Sequence, residues 1–255
     1  MTALAGRKGL IIGIANEASL AWGCARAFHE AGAELAVTCQ NDKARAHVAP
    51  LAERLGAPIF MPLDVTNESQ WYDLEEEIRT HWDHLDFALH SVAYAPKADL
   101  QGRVTDCSQE GFAKAMQVSA YSFIRMARMC EKFMAPEGGA LLTLSFYGAH
   151  RVVENYNIMG PVKAALEAAV REVSMELGQH KIRVNALSTG PVPTRAASGL
   201  AHFDAMMDRS VEKTPLHQHI TLEDIGAYAR FLVSDEASRI TGQTLYVDAG
   251  YNISG

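Results

Sequence analysis

Short apolar runs alternate along this chain with longer stretches in which apolar residues recur every three or four positions. The run 9–13, Gly-Leu-Ile-Ile-Gly, reads as a buried strand. The stretch 19–31 reads as a helix with Leu20, Cys24, Phe28 and Ala31 on one face and Gly32 as its stop. The same alternation predicts strands over 35–39, 59–63 and 85–89, and helices over 43–55 and 69–81. The stretch 108–133 reads as one long or two shorter helices. A strand over 140–144, a helix over 158–178 and a strand over 183–187 follow. Thr221 and Asp224 resemble a capping box, with Asp in the usual place of Glu or Gln, opening a helix that runs through Leu232. A seventh strand over 245–247 closes the series. Strands that alternate with helices predict an α/β fold: a Rossmann-like, doubly wound parallel sheet of seven strands in a single domain, covered on both faces. In such sheets ligands sit outside the carboxyl ends of the strands, so the chemistry is sought there.

Composition narrows the picture. At 255 residues, with 48% hydrophobic and 21% charged residues, the chain has the balance of an ordinary globular protein. A net charge of -7 argues against nucleic acid as the main partner, since no basic stripe is available for phosphates. Cys24, Cys39, Cys107 and Cys130 are scattered and form no CxxC pair, which reads as reduced thiols. The first residues lack signal-peptide anatomy, and no run of about 18 apolar residues occurs. These features predict a cytoplasmic protein without a membrane partner.

The first strand-to-helix turn runs from Gly13 through Ile14, Ala15, Ser19 and Leu20 to Gly23, and it is not GxGxxG. Gly13 allows a sharp turn off the strand. Ser19 stands at a helix start, where free N–H groups and the positive dipole end favour a pyrophosphate. The plainer reading is a strand-ending glycine and a helix cap. The second strand ends at Cys39-Gln40-Asn41-Asp42, with the nearest base, Lys43, already in the helix. A 2′-phosphate favours Arg or Lys there, so Gln40 points to NADH rather than NADPH. Asp64 and Val65 can meet the adenine, or Asp64 can serve its own turn. Ser91, Val92 and Ala93 follow the fourth strand, beside the cofactor ribose. Gly190, Pro191, Val192, Pro193 and Thr194 form a stiff loop after the sixth strand, with Thr194 placed to reach the pyrophosphate.

One tyrosine has a lysine seven residues on: Tyr156 with Lys163. None has a lysine four residues on, the spacing of ordinary short-chain dehydrogenases. Seven residues is nearly two helical turns, so both side chains point roughly the same way. Pro161 fits only a first turn, which places the helix start between Asn157 and Pro161. The pattern suits a Tyr156 hydroxyl donating to an oxygen that gains charge, and a Lys163 ammonium anchoring the ribose. A packed Tyr and a surface Lys share the same spacing. The stretch 195–214, rich in Ala, Met, Gly and Phe, reads as an apolar flap over a substrate chain or as a plain surface helix. His81 with His84, and His217 with His219, lack a third ligand and point to no metal. The methionines of 126–134 read as core or subunit interface, and Glu75–Glu77 as a solvated helix face.

Several segments together resemble the NADH-dependent enoyl-acyl-carrier-protein reductases, a branch of the short-chain dehydrogenases and reductases. They are Gly13-Ile-Ala with Ser19-Leu20-Ala, Gln40-Asn-Asp-Lys43, Asp64-Val65, His90-Ser91, Ala95-Pro96, the strand ending at Ser145, Asn155-Tyr-Asn-Ile-Met-Gly160, Lys163-Ala-Ala-Leu-Glu167, Arg183-Val-Asn-Ala186 and Arg195-Ala-Ala-Ser-Gly199. The resemblance spans almost the whole chain. It implies a homotetramer that reduces trans-2-enoyl thioesters in fatty acid elongation, with Tyr156 and Lys163 in the roles above. It adds Ser145 to the cofactor-binding residues. It gives Ala95, Phe146, Tyr156 and Met159, with Ala196, Phe203 and Met206 of the flap, as substrate-binding residues. Three positions depart from the family pattern. Phe146 stands where a second Tyr is common, and the neighbouring Tyr147 is expected to point elsewhere. Residues 200–206 carry no Lys or Arg to meet an acidic carrier protein, which leaves coenzyme A open as the acyl carrier. Ala93 stands where Gly is common, and its methyl group narrows the space beside the nicotinamide. A short-chain carbonyl or alcohol oxidoreductase and a non-catalytic nicotinamide-binding regulator are the competing readings.

Overall fold

The apolar run at the amino end pairs with two other strands at once, and this sets the plan of the molecule. In the computed structural model, which describes residues 3–135, 137–194, 207 and 211–254, β1 (Lys8–Ile12) lies parallel between β2 (Glu34–Cys39) and β4 (Phe87–His90). β2 continues to β3 (Ile59–Pro62). On the other side β4 continues through β5 (Gly139–Phe146) and β6 (Ile182–Thr189) to β7 (Thr244–Val247). The strand order is therefore β3-β2-β1-β4-β5-β6-β7, all parallel, with the reversal between β1 and β4.

Alternation along β1 sends Ile11 to one face and Leu10 and Ile12 to the other. The first face is covered by α1 (Leu20–Glu30), α2 (Asp42–Arg54) and α8 (Leu222–Val233). The second is covered by α3 (Glu68–His81), α6 (Ser122–Met134) and α7 (Met159–Leu177). The predicted strands and helices are all present, with ends shifted by a few residues. β5 runs on to Phe146, because it stays paired with β6 that far, Ser145 with Ser188 and Phe146 with Thr189.

The 108–133 stretch resolves into α5 (Gln109–Met116), a π-helical segment (Gln117–Tyr121) and α6, so it is neither one regular helix nor two separated ones. A short α4 (Lys97–Leu100) precedes it. The capping box is formed: the Asp224 backbone N–H donates to Thr221 Oγ1 at 3.2 Å, and that of Thr221 to Asp224 Oδ2 at 2.8 Å. Met126, Met129 and Met134 lie in the core. Glu75 is not a simple solvated charge. Its carboxylate accepts from Lys132 Nζ at 2.8 and 2.9 Å and ties α3 to α6. His81 and His84 each contact a nearby backbone carbonyl. Among the described residues no group of three His, Cys, Asp or Glu is placed to hold a metal, and no helix is long and apolar enough to cross a membrane.

α1 and α8 cross almost backbone to backbone. A Cβ on Gly226 would lie 2.6 Å from the Gly23 carbonyl oxygen, and one on Gly23 would lie 2.7 Å from that of Leu222. This contact sets the spacing of α1 and α8 on that face of the sheet. Gly226→Val is expected to destabilise the protein by about 1–3 kcal/mol through overpacking. The check is the urea unfolding midpoint, which should fall while the slope holds.

Candidate active site

The site begins where β1 stops. Gly13 has φ +117°, a conformation that L side chains rarely adopt, and a Cβ there would overlap the Ser91 carbonyl of the next strand. The chains leaving β1 and β4 thus run close together at the strand-order reversal. Ser19 precedes α1, but its hydroxyl turns back to donate to the Asn16 carbonyl at 2.6 Å and makes no cap. The amino end of α1 is left without a side-chain acceptor, as an anion site requires. Ile14 is buried beneath this turn, and Ala15 and Leu20 are half-buried around it.

Gln40 is exposed just past β2, and Lys43 lies within α2, as the sequence predicts. Asp64 serves its own turn: Oδ1 accepts from the Thr66 backbone N–H at 2.9 Å and from Thr66 Oγ1 at 2.8 Å. Val65 is half-buried, with its carbonyl accepting from Trp71 Nε1 at 3.1 Å. Ser91, Val92 and Ala93 follow β4 with partial to open exposure. Ser119 Oγ fixes the next residue from both sides, accepting from the Tyr94 N–H at 2.9 Å and donating to the Tyr94 carbonyl at 3.1 Å. After β6, Gly190, Pro191 and Val192 are buried and Thr194 is half-buried. The Gly190 N–H donates to the Val247 carbonyl at 3.0 Å.

Tyr156 is delivered by its neighbours. Asn155 and Asn157 have φ of +65° and +48°, the left-handed region that asparagine tolerates better than most residues. Two such bends around one residue turn its side chain inward. Asn157 Nδ2 donates to the Leu100 carbonyl at 2.5 Å and pins the second bend. Gly148 leaves room for the Tyr156 ring, which a Cβ would overlap. The Phe146 ring packs on Tyr156 at 4.8 Å between centroids, tilted by 58°. Ala95, Phe146, Tyr156 and Met159 belong to one apolar cluster with Leu100, Ile158 and Val162. Four substrate-binding candidates are thereby brought together. Ala196, Phe203 and Met206, and most of the flap, lie outside the described residues. Tyr147 points elsewhere, edge-on to Tyr251 at 5.4 Å.

α7 starts at Met159, within the window that Pro161 allows. Lys163 is buried on its inner face, and Nζ donates to the Leu144 carbonyl of β5 at 2.7 Å. Burial lowers its pKa to about 8, against an opposing pull from Glu167. Burial raises the Tyr156 phenol well above its ordinary value, and the negative charge of Glu167 adds to this. The phenol therefore keeps its proton at neutral pH and can donate it in a hydrogen bond.

Sequence reasoning missed three features here. Glu167 is buried, with Oε1 accepting from Ser145 Oγ at 2.5 Å. Its signal was a charge at an inward position of a helix, four residues after Lys163. His90 is buried between Thr143 Oγ1 at 3.0 Å and Ser122 Oγ at 2.8 Å, and burial with the nearby Lys163 charge lowers its pKa to about 3. It joins β4 to β5 and α6 as a neutral ring. The Ser119 clamp depends on the π-helical segment, which no periodicity announces.

The comparisons with known proteins agree with this arrangement. The family model described as enoyl-(acyl carrier protein) reductase matches residues 13–252. The chain is 43% identical over 252 residues to the enoyl-[acyl-carrier-protein] reductase [NADH] FabI of Rickettsia typhi, covering 99% of this chain and 96% of the relative. The enoyl-(acyl-carrier-protein) reductase of Anaplasma phagocytophilum, solved in complex with NAD, superposes with a TM-score of 0.95 at 43% identity, covering 99% of this chain and 96% of that one. The enoyl-acyl carrier protein reductase of Bacillus cereus, solved with NADP+ and indole naphthyridinone, gives a TM-score of 0.97 at 40% identity over 100% of both chains. Two independent lines, the sequence model over nearly the full length and the superposed folds, lead to the same statement: this chain belongs to the enoyl-(acyl carrier protein) reductase family.

Proposed function

We propose that this protein reduces the trans-2 double bond of enoyl thioesters with NADH, and that Tyr156 and Lys163 carry the reaction. The observation that supports the residue assignment most directly is the burial of both groups at the carboxyl end of β5, with Tyr156 inside an apolar cluster. A dinucleotide fits the residues present. Gly13 has no Cβ where the chains from β1 and β4 meet, α1 has an uncapped amino end for the pyrophosphate, and Gln40 offers hydrogen bonds to ribose hydroxyls without a base to favour a 2′-phosphate. Asp64 and Val65 would flank the adenine. Ser91, Val92, Ala93 and Ser145 would line the nicotinamide ribose, and the 190–194 loop would bring Thr194 to the pyrophosphate. Lys163 spends one N–H on the Leu144 carbonyl and offers the others to the ribose hydroxyls.

Held by these residues, NADH would supply the hydride taken up by the β-carbon of the enoyl group. The Tyr156 hydroxyl donates to the thioester oxygen as negative charge gathers on it, beside the apolar side chains of Phe146 and Met159. The Lys163 ammonium, nearly two turns along, favours the same charge. The apolar wall of Ala95, Phe146 and Met159 holds the acyl chain and excludes water. Hydride addition would leave an enolate on the oxygen that Tyr156 holds, and a proton drawn from solvent to the α-carbon would complete the reduction.

The absence of Lys and Arg from residues 200–206 favours tolerance of both carriers, acyl-carrier protein and coenzyme A. A homotetramer is supported by Phe112, Tyr121 and Ile124, which expose apolar surface along the α5–α6 rod. A reducing cytoplasmic setting suits the free cysteines, whose buried members Cys24, Cys39 and Cys130 have thiol pKa values pushed up by burial, that of Cys24 to about 12.

The direct assay follows NADH oxidation with crotonyl thioesters on carrier protein and on coenzyme A beside a panel of ketones. Turnover of the thioesters, with NADH well ahead of NADPH, is the expected result. Ketone turnover alone would place the protein among carbonyl reductases, and binding without turnover would make it a regulator. Tyr156→Phe is expected to lower kcat by about 10²-fold or more with the NADH KM little changed, since one donor to the developing charge is lost. For the wild type, kcat/KM for NADH should fall as pH rises through about 8, where the Lys163 ammonium is lost. Ala93→Gly should tighten binding of ring-stacking inhibitors, measured by titration with the oxidised cofactor present; equal affinity would remove the steric role given to that methyl group.

A further inference from the structure

Lys163 and Glu167 are one turn apart on the inner face of α7, and both are buried. They dock on consecutive residues of β5. The ammonium donates to the Leu144 carbonyl at 2.7 Å, and the carboxylate accepts from Ser145 Oγ at 2.5 Å. The second oxygen of Glu167 makes no aligned hydrogen bond among the described residues, yet it lies 2.5 Å from Nε2 of His150. The His150 side chain is 47% exposed and that of Glu167 only 1%. The imidazole therefore stands over the carboxylate on its solvent side. A buried carboxylate with only a serine and a lidding histidine is costly unless its charge serves a neighbour.

We propose that Glu167 and His150 are positioning residues for Lys163: the carboxylate is the buried counter-charge that keeps the ammonium in place for the ribose, and the imidazole shields that carboxylate from water. This rests on the reading of Lys163 as the ribose anchor. The other groups that face the pair are Tyr156 ahead of α7, Tyr246 on β7 and His90 at the end of β4. Tyr156 and Tyr246 both feel the Glu167 charge, and each is raised foremost by burial. His90 is held neutral by burial and by Lys163. Lys163 is thus the group among them whose charge changes near pH 8, and Glu167 is the charge that opposes its loss.

The sign follows. Removing the Glu167 charge leaves burial unopposed, so the ammonium is lost at lower pH. The test measures NADH affinity by nicotinamide fluorescence from pH 6 to 10 on the full chain, with Lys163→Met as the control. Glu167→Gln should move the alkaline loss of NADH affinity down by about one pH unit. His150→Ala, which admits water to the carboxylate, should move it the same way by a smaller amount, and His150→Gln should restore it. If Lys163→Met abolishes the alkaline limb while Glu167→Gln and His150→Ala leave it within about 0.2 units, the counter-charge role is wrong and the anchor stands. If Lys163→Met changes neither affinity nor limb, the anchor itself is wrong. Should Glu167→Gln fail to fold, the two His150 variants at the surface carry the decision.

Discussion

Charge buried against a sheet must be partnered, and in this protein that requirement organises the site. The inner face of α7 is apolar at Val162, Leu166 and Val170 but carries Lys163 and Glu167 among them. Each reaches the end of β5 for its bond. That strand lies beside β4, two places from the strand-order reversal, so the two charged groups come to rest at the edge where the loops of β1, β4 and β6 also emerge. Moving α7 along its axis by one turn would break both bonds together. The helix position, the strand end and the reactive groups are therefore a single mechanical unit.

Much of this was visible in the residue pattern. Apolar runs of four or five residues separated by helical periodicity identify a parallel sheet, and Pro161 locates the start of α7 because it tolerates only a first turn. The Tyr156–Lys163 spacing has meaning only with that helix start in hand. What stayed hidden was tertiary. Glu167 looks like any helix charge until the strand beside it is known. His90 reads as a strand end, whereas its ring closes a buried bridge between Thr143 and Ser122. Glu75 reads as solvent-facing until Lys132 arrives from another helix. Side chains whose partners are more than fifty positions away leave no local trace.

The departures from the family pattern acquire physical content in the fold. Phe146 cannot donate a hydrogen bond, but its ring rests on that of Tyr156 and closes one wall of the apolar cluster. The tyrosine next to it is occupied with Tyr251 on the far side. Among the described residues of this apolar cluster, Tyr156 is thus the side chain that carries a phenol. Asn155 and Asn157 hold that phenol by backbone conformation rather than by contacts to its hydroxyl, which leaves the oxygen free to face a ligand.

The π-helical segment between α5 and α6 has a consequence beyond local geometry. A regular helix turns by about 100° per residue, so one residue of slack rotates everything before it relative to everything after. Here that rotation lets one continuous rod serve two masters: α6 keeps Phe123, Met126 and Cys130 pressed into the sheet, while Ser119 at the wound-out turn grips the chain at Tyr94. The irregular turn thereby separates the phase of the two halves, so that α5 buries Gly111 and Ala115 on its own register while α6 keeps a different one against the sheet.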